Sequence, residues 1–203
     1  MIRTWQCKCG QVQFKLRGEP VIVMNCHCHS CVSVARHCDD KAAGSNISAL
    51  SEGGGCAKAM FYLENVSLPD DKLAEKLAFC KVGDQGDIIR SYTKCCGTLV
   101  NTAGGRSFPT GFRPFNRNCI RNEDGTPYEP KEPVINILAK YAFRPEDVPA
   151  PRRSLVPMGI LRKFAGGAIS YKLGCCPGVG TLGQEKAFHM AGADVSEVVP
   201  ITW

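Results

Sequence analysis

Polar and apolar residues alternate with period two over Gln11–Leu16 (QVQFKL), the pattern of a strand with one buried face. The turn residues Gly18-Glu19-Pro20 and the short apolar run Val21–Met24 follow. Together they predict a β-hairpin whose two outer ends each lead into cysteines. After Ser30, a residue type that caps helices, Cys31, Val34, Ala35 and Cys38 fall at helical spacing and predict a short helix. Ser51–Lys58 (SEGGGCAK) reads as a connection. Further short strands are expected at Met60–Leu63, Leu77–Cys80, Ile88–Tyr92 and Thr98–Asn101. Strands this short and this closely spaced predict a mainly β fold with one or two helices.

Beyond Ile120 the pattern changes. Arg121–Pro133 is polar and rich in turn formers, and it divides a first unit, 1–120, from an extension, 121–203. Val134–Phe143 suits a helix or a strand equally, and Met158–Ala168 predicts a short amphipathic helix ending at Gly166-Gly167. An extension with so little core potential is expected to pack on the first unit or on a partner protein.

Composition narrows the class. The chain has 203 residues, 44% hydrophobic and 22% charged, which is ordinary globular composition. It lacks an apolar run of the roughly 18 residues that a spanning helix needs, so no membrane span is expected. The N-terminus MIRTWQCKCG has no secretory pattern, which predicts an intracellular, reducing compartment, the cytoplasm or the mitochondrial matrix. The net charge of +6 is scattered rather than striped, which argues against nucleic acid as a partner. Thirteen cysteines, an odd number, argue against a disulfide framework and for metal binding.

The cysteines cluster. Cys7-x-Cys9 supplies two thiolates at a turn, half of the tetrahedron that zinc prefers. The distant pair Cys95-Cys96 could supply the other half and tie the first strand to a much later one. Cys26, Cys28 and Cys31 supply three thiolates with no fourth cysteine at matching spacing. Three protein ligands and one exchangeable position is the arrangement of a catalytic zinc, whereas closure by Cys38, His27 or His29 would make the site a structural staple. Cys38, Cys56, Cys80 and Cys119 are isolated and read as small buried hydrophobes. Cys175-Cys176 is a further vicinal pair in a turn-rich stretch.

The order Cys7-x-Cys9-Gly10, a Val12-x-Phe14 strand, Gly18-x-Pro20, Cys26-x-Cys28-x2-Cys31 and Cys96-Gly97-Thr98 resembles the glutathione-dependent formaldehyde-activating enzyme and centromere protein V family over about Gln6 to Gly111. The resemblance implies a β-tent fold, in which small antiparallel sheets are held by zinc. It also implies a structural zinc on Cys7, Cys9 and Cys96, with Cys95 as the remaining corner, and a catalytic-type zinc on Cys26, Cys28 and Cys31. The family's usual Cys-x-x-Cys-Gly has Thr93 at its first position here and an extra cysteine at Cys95. That departure is similar to a branch with a Cys-Cys motif and a C-terminal extension. By resemblance the activity would be that of a carbon–sulfur lyase acting on glutathione–formaldehyde adducts, with a glutathione-like thiol as ligand. The alternative is a non-catalytic, zinc-stabilised accessory subunit of a larger assembly, for instance a mitochondrial one.

Overall fold

A computed structural model describes residues 1–42, 46–68, 72–83, 88–103, 112–131, 133–172 and 195–198. The fold is mainly β, with thirteen strands in two sheets among the described residues. The smaller sheet has the order β10-β1-β2-β5, from Ile120–Arg121, Ile2–Gln6, Gln13–Arg17 and Val66–Ser67. The larger has the order β12-β11-β3-β4-β9-β8-β7-β6-β13. Its antiparallel centre is Ile22–Cys26 (β3), Cys56–Tyr62 (β4), Phe112–Asn116 (β9), Leu99–Ala103 (β8), Ile89–Thr93 (β7) and Leu77–Val82 (β6). The extension adds Ile135–Ile137 (β11) and Arg152–Arg153 (β12) at one edge and Val195–Val198 (β13) at the other. These three additions pair in parallel, unlike the rest.

The hairpin expected from Gln11–Leu16 and Val21–Met24 does not form. β2 pairs with β1 through the Cys7–Gly10 turn, and β3 crosses into the other sheet beside β4. The physical reason is burial. β2 alternates, with Phe14 and Leu16 inward and Gln13, Lys15 and Arg17 outward, whereas β3 is largely covered on both faces. An element covered twice belongs in the middle of a layered structure.

The large sheet is that middle layer. One face meets the small sheet in a core built on Trp5, Phe14, Phe61, Phe79 and Phe115. Trp5 and Phe14 stack at 4.9 Å, and Phe115 lies 5.3 Å from Phe14 and 6.5 Å from Phe61. The other face carries Met24, Cys26, Cys56, Met60, Cys80 and Phe112 against the helix His29–Lys41 (α1), which contributes Cys31, Val34, Ala35 and Cys38. Helical spacing thus delivers the stripe expected of it. The helix begins two residues earlier than an N-cap at Ser30 predicts: Cys28 is the N-cap, without a side-chain cap bond, and Ser30 is inside the first turn.

The extension departs from the sequence pattern in two places. Val134–Phe143 is neither one helix nor one strand but β11 followed by a 3-10 turn at Ala139–Tyr141. The second helix, Met158–Lys172 (α2), continues through Gly166-Gly167 rather than stopping there. Cys175 and Cys176 lie outside the described residues. No helix among the described residues is long and apolar enough to cross a membrane.

Phe115 joins the two sheets, so Phe115→Ala is expected to destabilise the chain by about 3–5 kcal/mol, read as a lower urea midpoint at an unchanged slope.

Candidate metal centres

Two groups of thiols converge. In the first, the turn after β1 presents Cys7 and Cys9, held by the Gly10 amide donating to the Cys7 carbonyl at 3.0 Å. The turn after β7 presents Cys95 and Cys96. The sulfurs of Cys7 and Cys9 are 3.6 Å apart, Cys7 and Cys95 3.9 Å, Cys9 and Cys95 3.3 Å, and Cys95 and Cys96 3.8 Å. A metal at about 2.3 Å from each of four tetrahedral sulfurs requires separations of roughly 3.8 Å. The four sulfurs, all within 4.8 Å of one another, fit that requirement.

Adjacent cysteines reach one point because the backbone kinks at Gly97, whose φ is +65°. A side chain there would also strike α1, since an added Cβ would lie 2.6 Å from the Lys41 Cβ. Thr93, where the related pattern has cysteine, serves the turn instead. It takes the Thr98 amide at 3.1 Å and lies 3.4 Å from the Cys96 sulfur. Backbone and hydroxyl donors also surround the sulfurs: the Val12 amide donates to Cys7 at 3.2 Å, and the Thr98 hydroxyl is 3.1 Å from Cys96. Burial alone would raise the Cys96 thiol, but the Thr93 and Thr98 hydrogen bonds outweigh it and set the pKa at about 6. Burial and the Cys9 contact push Cys95 to about 12. Donors aimed at sulfur favour thiolate, the form that binds metal.

The second group sits where β3 runs into α1. Cys26 ends the strand, Cys28 caps the helix and Cys31 follows on its sheet-facing side. The Cys26 and Cys28 sulfurs are 3.4 Å apart, and all three lie within 4.8 Å. Cys26 and Cys31 are 5% and 7% exposed, and only Cys28 is half-buried. None of the residues proposed to close the group does so. His27 points to the other side of the chain, fully buried, with Nε2 3.2 Å from the Asn136 Oδ1. Its ring lies against Gly55, where an added Cβ would meet Nε2 at 2.6 Å. His29 is exposed, with its ring edge on Tyr141 at 5.7 Å. Cys38 is buried in the core with Cys56 and Cys80. Among the described residues the second group therefore offers three ligands.

Lys58 and Arg90 are the residues that sequence reasoning missed. Lys58 falls in a stretch read as a connection, yet it is in β4 and 7% exposed. Its Nζ donates to the Cys31 sulfur at 3.0 Å and to the Thr102 hydroxyl at 3.3 Å. Arg90, 2% exposed, donates to the Ser30 hydroxyl at 2.6 Å and lies 3.9 Å from the Cys31 sulfur. Hydrogen bonds from Cys26 and Cys28, with both cations behind them, hold the Cys31 thiol well below its ordinary range. Burial would lower the Lys58 pKa, but the facing Cys31, Cys56 and Cys26 sulfurs outweigh it and keep the ammonium charged. The available signal was a lone cation at an inward position of an otherwise apolar strand, CAKAMFY.

None of the eleven described cysteines is in a disulfide. Cys38, Cys56, Cys80 and Cys119 are buried, as small hydrophobes are. The two clustered groups could hold metal ions.

Two substitutions separate packing from ligation. His27→Ala is expected to leave metal uptake by the three-thiol group unchanged, measured by cobalt absorption, while costing about 2–4 kcal/mol in urea unfolding. Gly97→Ala is expected to weaken metal retention at the four-thiol group, read as faster loss to a chelator, because it forces the Cys95-Cys96 turn away from α1.

A family profile described as glutathione-dependent formaldehyde-activating enzyme matches residues 2–48. No curated protein matches the chain. Among solved structures, the crystal structure of a Rhodobacter sphaeroides protein is similar at 17% identity and a TM-score of 0.39, covering 66% of this chain and 98% of that one. Over residues 2–48 the chain is thus similar to the glutathione-dependent formaldehyde-activating enzyme family, and the matched span takes in five of the seven clustered cysteines.

Proposed function

We propose that the chain binds zinc at both thiol groups, as a closed structural site on Cys7, Cys9, Cys95 and Cys96 and a catalytic-type site on Cys26, Cys28 and Cys31. The reaction assigned to the second is carbon–sulfur bond formation and cleavage between formaldehyde and a glutathione-like thiol. The observation that carries this reading is the set of three converging thiols with no fourth protein ligand among the described residues. The donor chemistry fits zinc, which favours sulfur in tetrahedral sites and tolerates an exchangeable fourth ligand. Reduced thiols in this number also fit a reducing compartment, the cytoplasm or the mitochondrial matrix.

In the forward direction the thiol sulfur bonds to the formaldehyde carbon, the carbonyl π bond opens, and the thiol proton ends on the new hydroxyl oxygen. The reverse cleaves the carbon–sulfur bond. Zinc, when bound, would supply a Lewis acid that acidifies a thiol or polarises a carbonyl. The chain's own residues do the rest. Cys26 and Cys31 are shielded from water, Lys58 holds the Cys31 sulfur by a hydrogen bond, and Arg90 fixes Ser30 at the start of α1.

A second reading, a zinc-stabilised accessory subunit without activity, draws support from the extension. We take 121–203 to pack on the 1–120 unit or on a partner. Leu155, Met158, Leu161 and Ile169 are exposed there, as apolar residues awaiting a partner would be.

Metal analysis of the purified chain is expected to find two zinc ions, with Cys9→Ser and Cys31→Ser each losing one. Exchange spectroscopy by NMR is expected to show faster equilibration of formaldehyde with glutathione in the zinc-loaded chain than in buffer, and no acceleration with Cys31→Ser. A folded, fully loaded wild-type chain that leaves the rate at its buffer value would sink the enzymatic reading and favour the accessory one.

A further inference from the structure

We infer that Lys58 and Arg90 set the ligand class of the three-thiol group: they are positioning residues that make it a site for an anionic sulfur ligand, a thiolate, over a neutral one. The inference rests on metal binding at Cys26, Cys28 and Cys31 as proposed above, and it adds what decides which fourth ligand the site takes.

The two cations come from strands that are not neighbours. β4 and β7 are separated in the sheet by β9 and β8, and both turn these side chains toward α1. They meet at Cys31, with Lys58 Nζ at 3.0 Å and Arg90 Nη2 at 3.9 Å from its sulfur. Their other partners are neutral: the Thr102 and Ser30 hydroxyls and the Ile88 carbonyl. Among the described residues no carboxylate forms an ion pair with either. Among the described residues the two buried positive charges therefore meet one sulfur and otherwise only neutral groups.

The charge balance decides the ligand. A divalent ion with three thiolates carries a net charge of minus one, one short of the two cations. The nearby Cys56 and Cys80 are buried in the apolar cluster beneath α1, where a further thiolate would be costly. An uncompensated charge in a dry site is costly, and a single further anion removes it. A neutral ligand leaves it in place. A thiolate suits the soft metal site as well as the charge, and Lys58 and Arg90 are strong donors to sulfur. Had Lys58 only a packing role, methionine would fill the same space without the desolvation cost of an ammonium.

The test uses the full chain loaded with cobalt(II), whose absorption reports the ligands at each group. At fixed pH it is titrated with 2-mercaptoethanol, which binds as a thiolate, and separately with imidazole, a neutral ligand. Wild type is expected to prefer the thiolate. Lys58→Met is expected to weaken thiolate binding by about tenfold or more and imidazole binding by less than about threefold, the signature of a lost charge rather than a lost fold. Lys58→Arg is expected to restore the preference. The cobalt bands of the four-thiol group report folding in every variant. If Lys58→Met loses them, Arg90→Met makes the same comparison with the same expected loss. Intact cobalt uptake with an unchanged thiolate-to-imidazole ratio overturns this inference alone, as does an equal loss of both ligands. A wild-type spectrum indistinguishable from that of Cys31→Ser overturns the metal reading, and this inference falls with it.

Discussion

Sulfurs that begin 88 residues apart in the chain, on Cys7 and Cys95, lie 3.9 Å apart in the fold. The rest of the structure depends on that convergence. It fastens the turn after β1, in the small sheet, to the turn after β7, in the large one, at the edge of the core that both sheets share. Closing so long a loop costs conformational entropy, which a metal ion bound at its ends would offset. The hydroxyls of Thr93 and Thr98 and the Val12 amide show how the protein prepares for charge there: donors already aim at sulfur.

The two thiol groups solve different problems. The first is at the surface, with Cys9 and Cys95 exposed. The second lies under α1, with two of its sulfurs buried, and is accompanied by Lys58 and Arg90. Water screens the first group, whereas in the second low dielectric makes each charge matter. Under the proposed function, the dry group of three thiols with its counter-cations would be the reactive site and the wet group of four the staple.

Much of this was legible from spacing. Cys-x-Cys and Cys-x-x-Cys steps are local, and a turn or the first helical turn brings such residues together wherever it occurs. The stripe Cys31, Val34, Ala35 and Cys38 was read correctly because helical periodicity is also local. The hairpin was misread for the opposite reason. A turn signal such as Gly18-Glu19-Pro20 shows that the chain bends, not which sheet the next strand enters. His27 was a fair candidate ligand by proximity, but strand alternation sends it away from Cys26 and Cys28, onto Gly55 and Asn136.

By itself the sequence determined the local thiol steps of Cys7 and Cys9, of Cys26, Cys28 and Cys31, and of Cys95 and Cys96, the helical stripe and the mainly β character, because each depends on residues within a few positions of one another. Tertiary structure alone decided that β3 leaves β2 for another layer and that the extension lengthens the large sheet at both edges. It alone placed Lys58 and Arg90 against Cys31. Those outcomes depend on burial of both faces of a strand and on charges meeting across non-adjacent strands, which no local pattern encodes.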